Sequence, residues 1–249
     1  MTKIWHQSVN ELDKLGAYRT ALEQLAALSL SPGSTISING LAQGAYDGMS
    51  PTEALGNAES YHRVLSQIID LARTAEKGGF DAFVIGSFSE PFLREIRTTV
   101  DIPVVSMTEA ALLTACTLGG KTALITNAPS VRYMVEMSVE KHKLHNRVLD
   151  VVALDPPQDE FALEAAYADP SELAEHFRAT ALTLIARGAD TIIPAEGVLA
   201  RLIGMAGLTQ VGNAPVLDVF SIAWAQAEMH DRLWKATGLR RGREWSYRQ

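Results

Sequence analysis

Two short segments carry the residues best suited to chemistry. One is IGSFSEP, with Ser87, Ser89 and Glu90; the other is IIPAEG, with Glu196. Each follows an almost wholly apolar run, Asp81–Gly86 (DAFVIG) or Asp190–Ala195 (DTIIPA), and each precedes a helical pattern. Open parallel sheets place ligand-binding groups just past the carboxyl ends of such strands. A carboxylate such as Glu196 serves as a general base, or as a general acid when burial raises its pKa. A lone serine hydroxyl is a poor base without an activating neighbour. Ser87 is therefore better suited to hold a carbonyl or oxyanion.

Other polar residues fall at strand ends. His6 follows the first strand, in IWHQS, where it could bind an anion or donate a proton; Gln7 and Ser8 beside it could hydrogen-bond a carbonyl. Ser89 and Glu90 precede Pro91 and a helix, whose free amides suit a carboxylate or an enolate oxygen. Thr126 and Asn127 mirror His6 and Gln7 in the second half, as binders of a carboxylate or a ring amide. Asp218 ends the PVLD segment and either orients a partner or caps the helix that begins near Ser221. His6, Glu90, Glu196 and Asp218 are together a donor set for zinc or manganese, but no spacing such as HExxH ties them to one ion. A divalent metal on those four is one reading of them. His62, His142, His145 and His176 lie on helical stretches and read as surface or packing residues.

Strands alternating with helices must position these groups. Strands are expected at Lys3–His6, Ser34–Ile38, Asp81–Gly86, Pro103–Val105, Thr122–Thr126, Arg147–Leu154, Asp190–Ala195 and Pro215–Leu217. Helices are expected at Leu12–Leu30, Ala58–Lys77, after Pro91, at Thr108–Leu118, Pro129–Lys143, from the Pro156-Pro157 loop through Arg187, at Val198–Met205 and at Ser221–Trp234. The stretch from Gly40 to Gly56, rich in glycine, reads as a long loop of the kind that forms lids. This order implies an α/β fold with parallel sheets covered on both faces.

The halves resemble each other. Aligning Asp81 with Asp190 sets GGFDAFVIGSFSEPFLREI against ARGADTIIPAEGVLARLIG, and IPVVSMTEAALLTA matches APVLDVFSIAWAQA. Ser87 becomes the counterpart of Glu196, so two facing lobes would bring them to one ligand from opposite sides. The division expected is 1–119 for the first lobe and 120–249 for the second, with 220–249 able to pack back on the first.

Composition narrows the partners. With 22 basic against 29 acidic residues the chain carries −7, which gives no reason to expect nucleic acid. The basic end (Lys235, Arg240, Arg241, Arg243, Arg248) reads as a solvated terminus or subunit contact, and Trp234, Trp245 and Tyr247 suggest packing on the body or another subunit. A single cysteine, Cys116, excludes an internal disulfide framework and any Cys-rich metal site. No apolar stretch suits a signal sequence or a membrane span, so no membrane partner and a cytoplasmic location are expected.

GGFDAFVIGSFSEPFLREI, DIPVVSMTEAALLTACTLGGKTALIT, RGADTIIP and APVLD together resemble the aspartate/glutamate/hydantoin racemase superfamily, above all its hydantoin racemase branch, along nearly the whole chain. The resemblance implies two Rossmann-like lobes related by a pseudo-two-fold axis, an active site in the cleft between them, no cofactor and a homo-oligomer. It also implies a pair of cysteines, one per lobe, that take and return a proton beside a carbonyl. Those positions fall on Ser87 and Glu196, so both thiols are replaced, and Cys116 sits within a helical stretch. The expected enzyme acts on a small hydantoin, thiohydantoin or amino-acid-derived acid. Glu196 is its base, and the chemistry is hydrolytic or lytic, thiohydantoin desulfuration being one form. The alternatives are a cysteine-independent racemase, with His6 or a water on the second face, and a ligand-binding homologue without turnover.

Overall fold

The computed structural model describes residues 1–244; Trp245, Tyr247 and Arg248 lie outside the described residues. The chain forms two α/β lobes. In the first, β1 (Lys3–Ser8), β2 (Thr35–Asn39), β3 (Ala82–Gly86) and β4 (Val104–Ser106) build a parallel sheet in the order β2-β1-β3-β4. In the second, β5 (Thr122–Thr126), β6 (Val148–Ala153) and β7 (Thr191–Pro194) build a parallel sheet in the order β6-β5-β7. Val216 adds a parallel bridge to Ile192 on β7, at the place β4 holds in the first lobe. The second lobe therefore repeats the strand order of the first.

The apolar runs are the central strands because both of their faces are covered. Every residue of β3, β5 and β7 is buried. The period of two in β3 sends Val84 into a core that continues through both lobes, to Leu124, Ile193 and Leu199. Phe83 and Ile85 face the other way, toward Leu65, Ile68 and Ile96. Those three belong to α3 (Ala58–Leu65), α4 (Gln67–Lys77) and α5 (Leu93–Thr99).

The helix α1 (Gly16–Ser29) joins the lobes. Its first amides, Ala17 N–H and Tyr18 N–H, donate to Glu164 at 2.6 and 3.0 Å, and Arg201 Nε donates to the Ala21 carbonyl at 3.0 Å. Glu164 lies in α8 (Glu160–Ala165) and Arg201 in α10 (Gly197–Met205), both of the second lobe. The last helix, α11 (Val219–Thr237), returns to pack on β1, β3 and β4 and on α6 (Met107–Leu118). Ser106 caps α6 by accepting from Glu109 N–H at 3.1 Å.

Four expectations need correction. The PVLD segment joins β7 only through the single bridge of Val216 to Ile192, and Ala214–Pro215 is instead β9 of a small antiparallel pair with β8 (Gln210–Val211). The stretch Ala58–Lys77 divides into α3 and α4 at Ser66. The helical sequence before Arg187 divides into α8, a 3-10 turn at Ala166–Ala168, and α9 (Ser171–Ala186); Pro170 disfavours helix at the residue before it. The long loop contains a helical turn, α2 (Pro51–Ala54), capped by Ser50, which accepts from Glu53 N–H at 3.2 Å. The remaining helix is α7 (Pro129–Lys141). Among the described residues no helix is long and apolar enough to cross a membrane.

Candidate active site

The carboxyl ends of strands from both lobes meet around a cavity of about 40 Å³. Val9 and Asn10 follow β1, and Ser87, Phe88 and Ser89 follow β3; Glu196 and Gly197 follow β7. Pro51, Thr52 and Leu55 of the long loop lie over it, and Glu160 enters from the start of α8. Ser87 and Glu196 thus stand on one cavity, on walls from different lobes. The space holds a water or two, so a substrate ring requires the loop to move.

Glu196 is the N-cap of α10. Its Oε1 accepts from Val198 N–H at 2.9 Å and its Oε2 from Leu199 N–H at 2.7 Å. Gly197 leaves space beside this turn, since a Cβ there would stand 3.1 Å from the Tyr18 hydroxyl. Burial pushes the Glu196 carboxyl up, and the Glu160 charge adds to the push. The amides of Leu199, Val198 and Gly197 pull it back, and the balance is about 8. A carboxyl poised there takes up and releases a proton near neutral pH.

On the opposite wall Ser87 Oγ lies 3.0 Å from Ser89 Oγ and accepts from Ser89 N–H at 3.3 Å. These two hydroxyls are bonded to each other, and both are free to rotate and donate to a carbonyl oxygen placed between them.

Glu160 is the cavity residue that sequence reasoning missed. It is buried, and both of its oxygens accept from Thr52: Oε2 from the amide at 2.9 Å and Oε1 from the hydroxyl at 2.7 Å. Burial raises its carboxyl above the ordinary range, against the pull of the Thr52 donors. In the sequence Glu160 follows Asp159, whose side chain caps α8 by accepting from Ala162 N–H at 2.8 Å, and an acidic residue in a first helical turn is commonplace. Only the long loop, read as a lid, pointed toward this corner.

Several expected residues stand elsewhere. His6 lies on β1, fully buried against the rings of Phe220 and Trp224, and its Nδ1 accepts from Trp224 Nε1–H at 3.3 Å. Burial pushes it down to about 3, so it is neutral and has no access to the cavity. Gln7 turns to the other face of the sheet, accepting from Trp5 Nε1–H at 2.9 Å and donating to the Ser8 carbonyl at 2.9 Å. Ser8 is buried and accepts from Asn10 N–H at 3.1 Å, so Val9 and Asn10 take its place on the wall. Thr126 donates to the Ala128 carbonyl at 3.2 Å, within its own turn. Asn127 holds the loop from behind, donating through Nδ2 to Thr52 Oγ1 at 3.0 Å and to the Gln158 carbonyl at 2.8 Å. Asp218 is exposed and caps α11, accepting from Ser221 N–H at 3.2 Å.

Glu90 faces away from the cavity. It accepts from the Ser106 hydroxyl, Lys141 Nζ lies 2.5 Å from its Oε1, and His142 Nε2 lies 2.8 Å from both its oxygens. Burial alone would raise it, but His142 and then Lys141 hold it below the usual carboxylate range. His142 is therefore an inter-lobe contact rather than plain packing. With Glu90, His6 and Asp218 in three separate places, the four residues weighed as donors for an alternative metal site do not converge, and no cluster of His, Cys, Asp or Glu suited to a metal occurs among the described residues. Cys116, on α6, is not on the cavity wall.

Residues 16–227 match the family described as Asp/Glu/Hydantoin racemase. The chain belongs to the Asp/Glu/hydantoin racemase family. A hydantoin racemase of Pseudomonas sp. (strain NS671) is 29% identical over 106 residues, which are 41% of this chain and 43% of that one. The match thus spans under half of that relative's length. A hydantoin racemase of Rhizobium meliloti is 26% identical over 186 residues, 72% of this chain and 71% of that one. Among solved structures of the family, an allantoin racemase from Pseudomonas fluorescens superposes with a TM-score of 0.77 and 26% identity, covering 98% of this chain and 95% of that one. These likenesses agree with two Rossmann-like α/β lobes.

Proposed function

We propose that this chain is a proton-transfer enzyme of the racemase type, acting at the carbon beside a carbonyl in a small hydantoin-like ring. One observation carries the reading: a buried carboxyl, Glu196, poised near neutral pH on a cavity whose other wall bears Ser87 and Ser89. The hydantoin and allantoin racemases among its relatives support the substrate class.

In this reading ionised Glu196 removes the ring proton. The electron pair moves onto the carbonyl oxygen, which Ser87 and Ser89 receive as hydrogen-bond donors. Return of the proton from Glu196 restores the original centre; delivery of a proton from a water on the first-lobe side inverts it, and the hydroxide left behind is neutralised by the proton that Glu196 releases through solvent. Water takes that role because His6 is buried elsewhere. No step draws on a cofactor.

The ring's substituent has a place. A pocket of about 280 Å³ adjoins the cavity, with Leu55, Ser89 and Met134 in both walls; Tyr61, Tyr133 and Met137 line its far side. Its apolar and aromatic lining favours hydantoins with apolar substituents over the polar ureido group of allantoin.

A second reading is hydrolytic or lytic removal of a ring substituent, desulfuration of a thiohydantoin included. The observation favouring it is the absence of any thiol from the cavity wall, together with two carboxyls, Glu160 and Glu196, that can divide the acid and base roles toward a water. Proton NMR in D₂O, with 5-substituted hydantoins, 2-thiohydantoins and allantoin, separates the readings. Deuterium at the ring carbon of otherwise unchanged substrate supports the first. A new product with sulfide, ammonia or carbon dioxide replaces it with the second. Binding with neither outcome makes the chain a ligand-binding homologue.

A further inference from the structure

Glu160 and Glu196 line one cavity, and the charge of Glu160 is felt at Glu196. The groups facing them are Asp159 and Tyr46 toward Glu160, and Tyr18 and Tyr167 toward Glu196; Arg201 of α10 adds a positive charge beside Tyr167 and donates to the Ala21 carbonyl. Two like charges so placed disfavour each other, so ionising one keeps the proton on the other.

Which one is ionised depends on Thr52. In the closed arrangement Thr52 gives Glu160 two donors, one per oxygen, and such bonds are stronger to a carboxylate than to a neutral carboxyl. Thr52 belongs to the turn that covers the cavity, and Asn127 Nδ2 and Ser130 Oγ hold the same residue from the second lobe, at 3.0 and 3.4 Å. When the turn lifts to admit a ring, Glu160 loses both donors.

We propose that Glu160 is a positioning residue that couples the lid to the base: closure of the Pro51–Leu55 turn onto Glu160 keeps the proton on Glu196, and opening releases it. The proton leaving Glu196 passes to Glu160 or to solvent, and the Glu196 carboxylate remains bonded to the amides of α10. Opening thus arms the base as the substrate arrives. By reciprocity, ionising Glu196 weakens the hold of Glu160 on Thr52. This inference rests on Glu196 as the proton carrier, but its test does not rest on turnover.

The test is carried out on the substrate-free protein with ¹³C-carboxyl-labelled glutamate, following the Glu196 titration by NMR, with hydrogen exchange of the amides in residues 50–56 measured alongside. In Glu160→Gln the Glu196 midpoint falls by about one pH unit or more, the effect of removing a close like charge. The same amides exchange about tenfold faster, as expected for loss of charge-assisted hydrogen bonds. Thr52→Val leaves both carboxyls in place, so it tests the coupling even if Glu160→Gln folds poorly. There the Glu196 midpoint falls while that of Glu160 rises. Thr52→Ser keeps both donors and behaves as the parent. A Glu196 midpoint unchanged in Glu160→Gln and Thr52→Val overturns the proposal, even with faster exchange, because a purely structural Glu160 moves exchange alone. If the coupling holds while no ring proton exchanges in D₂O, the base role fails and the coupling stands.

Discussion

His142 Nε2 lies 2.8 Å from both carboxylate oxygens of Glu90, joining the end of α7 in the second lobe to the turn after β3 in the first. Glu90 takes a left-handed backbone conformation there, at φ 39°, and so does Phe92, at φ 52°. Glu90→Gln weakens its bonds to Lys141 and His142 together. The expected loss is on the order of 2 kcal/mol, a typical figure for hydrogen bonds to a charged group. Because the folded-state carboxyl sits below its unfolded value, this stabilisation is present above the ordinary Glu range and is lost as pH falls through the folded value. Urea unfolding at pH 7 and pH 4 checks it: the difference between parent and variant narrows at the lower pH.

Glu196→Gln abolishes turnover in any of the proposed reactions, since an amide cannot take the proton. It also changes how stability responds to pH. Glu196 keeps its proton up to about 8 when folded and loses it near the ordinary value when unfolded. Its favourable contribution is complete below the unfolded value and declines as pH rises toward 8. The melting temperature of the variant relative to the parent therefore increases between pH 5 and pH 8.5. A difference that does not vary with pH contradicts the poised carboxyl.

Ser87→Ala removes one donor to the oxygen and leaves the base intact. The expected cost is about 10²-fold in kcat, the usual scale for one oxyanion donor. A far larger loss, approaching that of Glu196→Gln, makes Ser87 a nucleophile or proton carrier instead.

His6 shapes the acid limb of stability rather than the chemistry. It stays neutral in the fold down to about 3, whereas in the unfolded chain it charges near the usual histidine value. Stability therefore falls as pH drops from about 6.5 toward 3, at about 1.4 kcal/mol per unit for this single group. His6→Asn flattens that limb, as denaturant midpoints between pH 4 and pH 7 will show. A side chain at Gly86 would collide with the His6 ring, so Gly86→Ala lowers stability at every pH.

Selectivity for the substituent rests on the outer pocket. Met134→Gln keeps the length of the side chain and puts an amide into the shared wall. It lowers kcat/KM for a benzyl-substituted hydantoin on the order of tenfold, with little change for the methyl-substituted ring. Equal losses on both rings would show that the substituent binds elsewhere.

The sequence by itself determined the alternation of strands and helices, because fully buried strands such as β3 and β7 need unbroken apolar runs and their ends need glycine and proline. It also determined that Ser87 and Glu196 occupy equivalent places, since the repeat sets one in register with the other. What only the tertiary structure decided is where the polar side chains point. His6 and Gln7 are neighbours in sequence, yet β1 turns one toward the rings of α11 and the other toward Trp5. Glu90 looked like a site residue, but a left-handed backbone and three partners from elsewhere in the chain claim its carboxylate. Nothing in the local sequence singled out Glu160, and the loop carrying Thr52 folds over to bury it on the cavity that Glu196 lines. Strand and helix are written in local pattern. The charge state of a carboxyl depends on which distant groups the fold brings to it and how much water it removes.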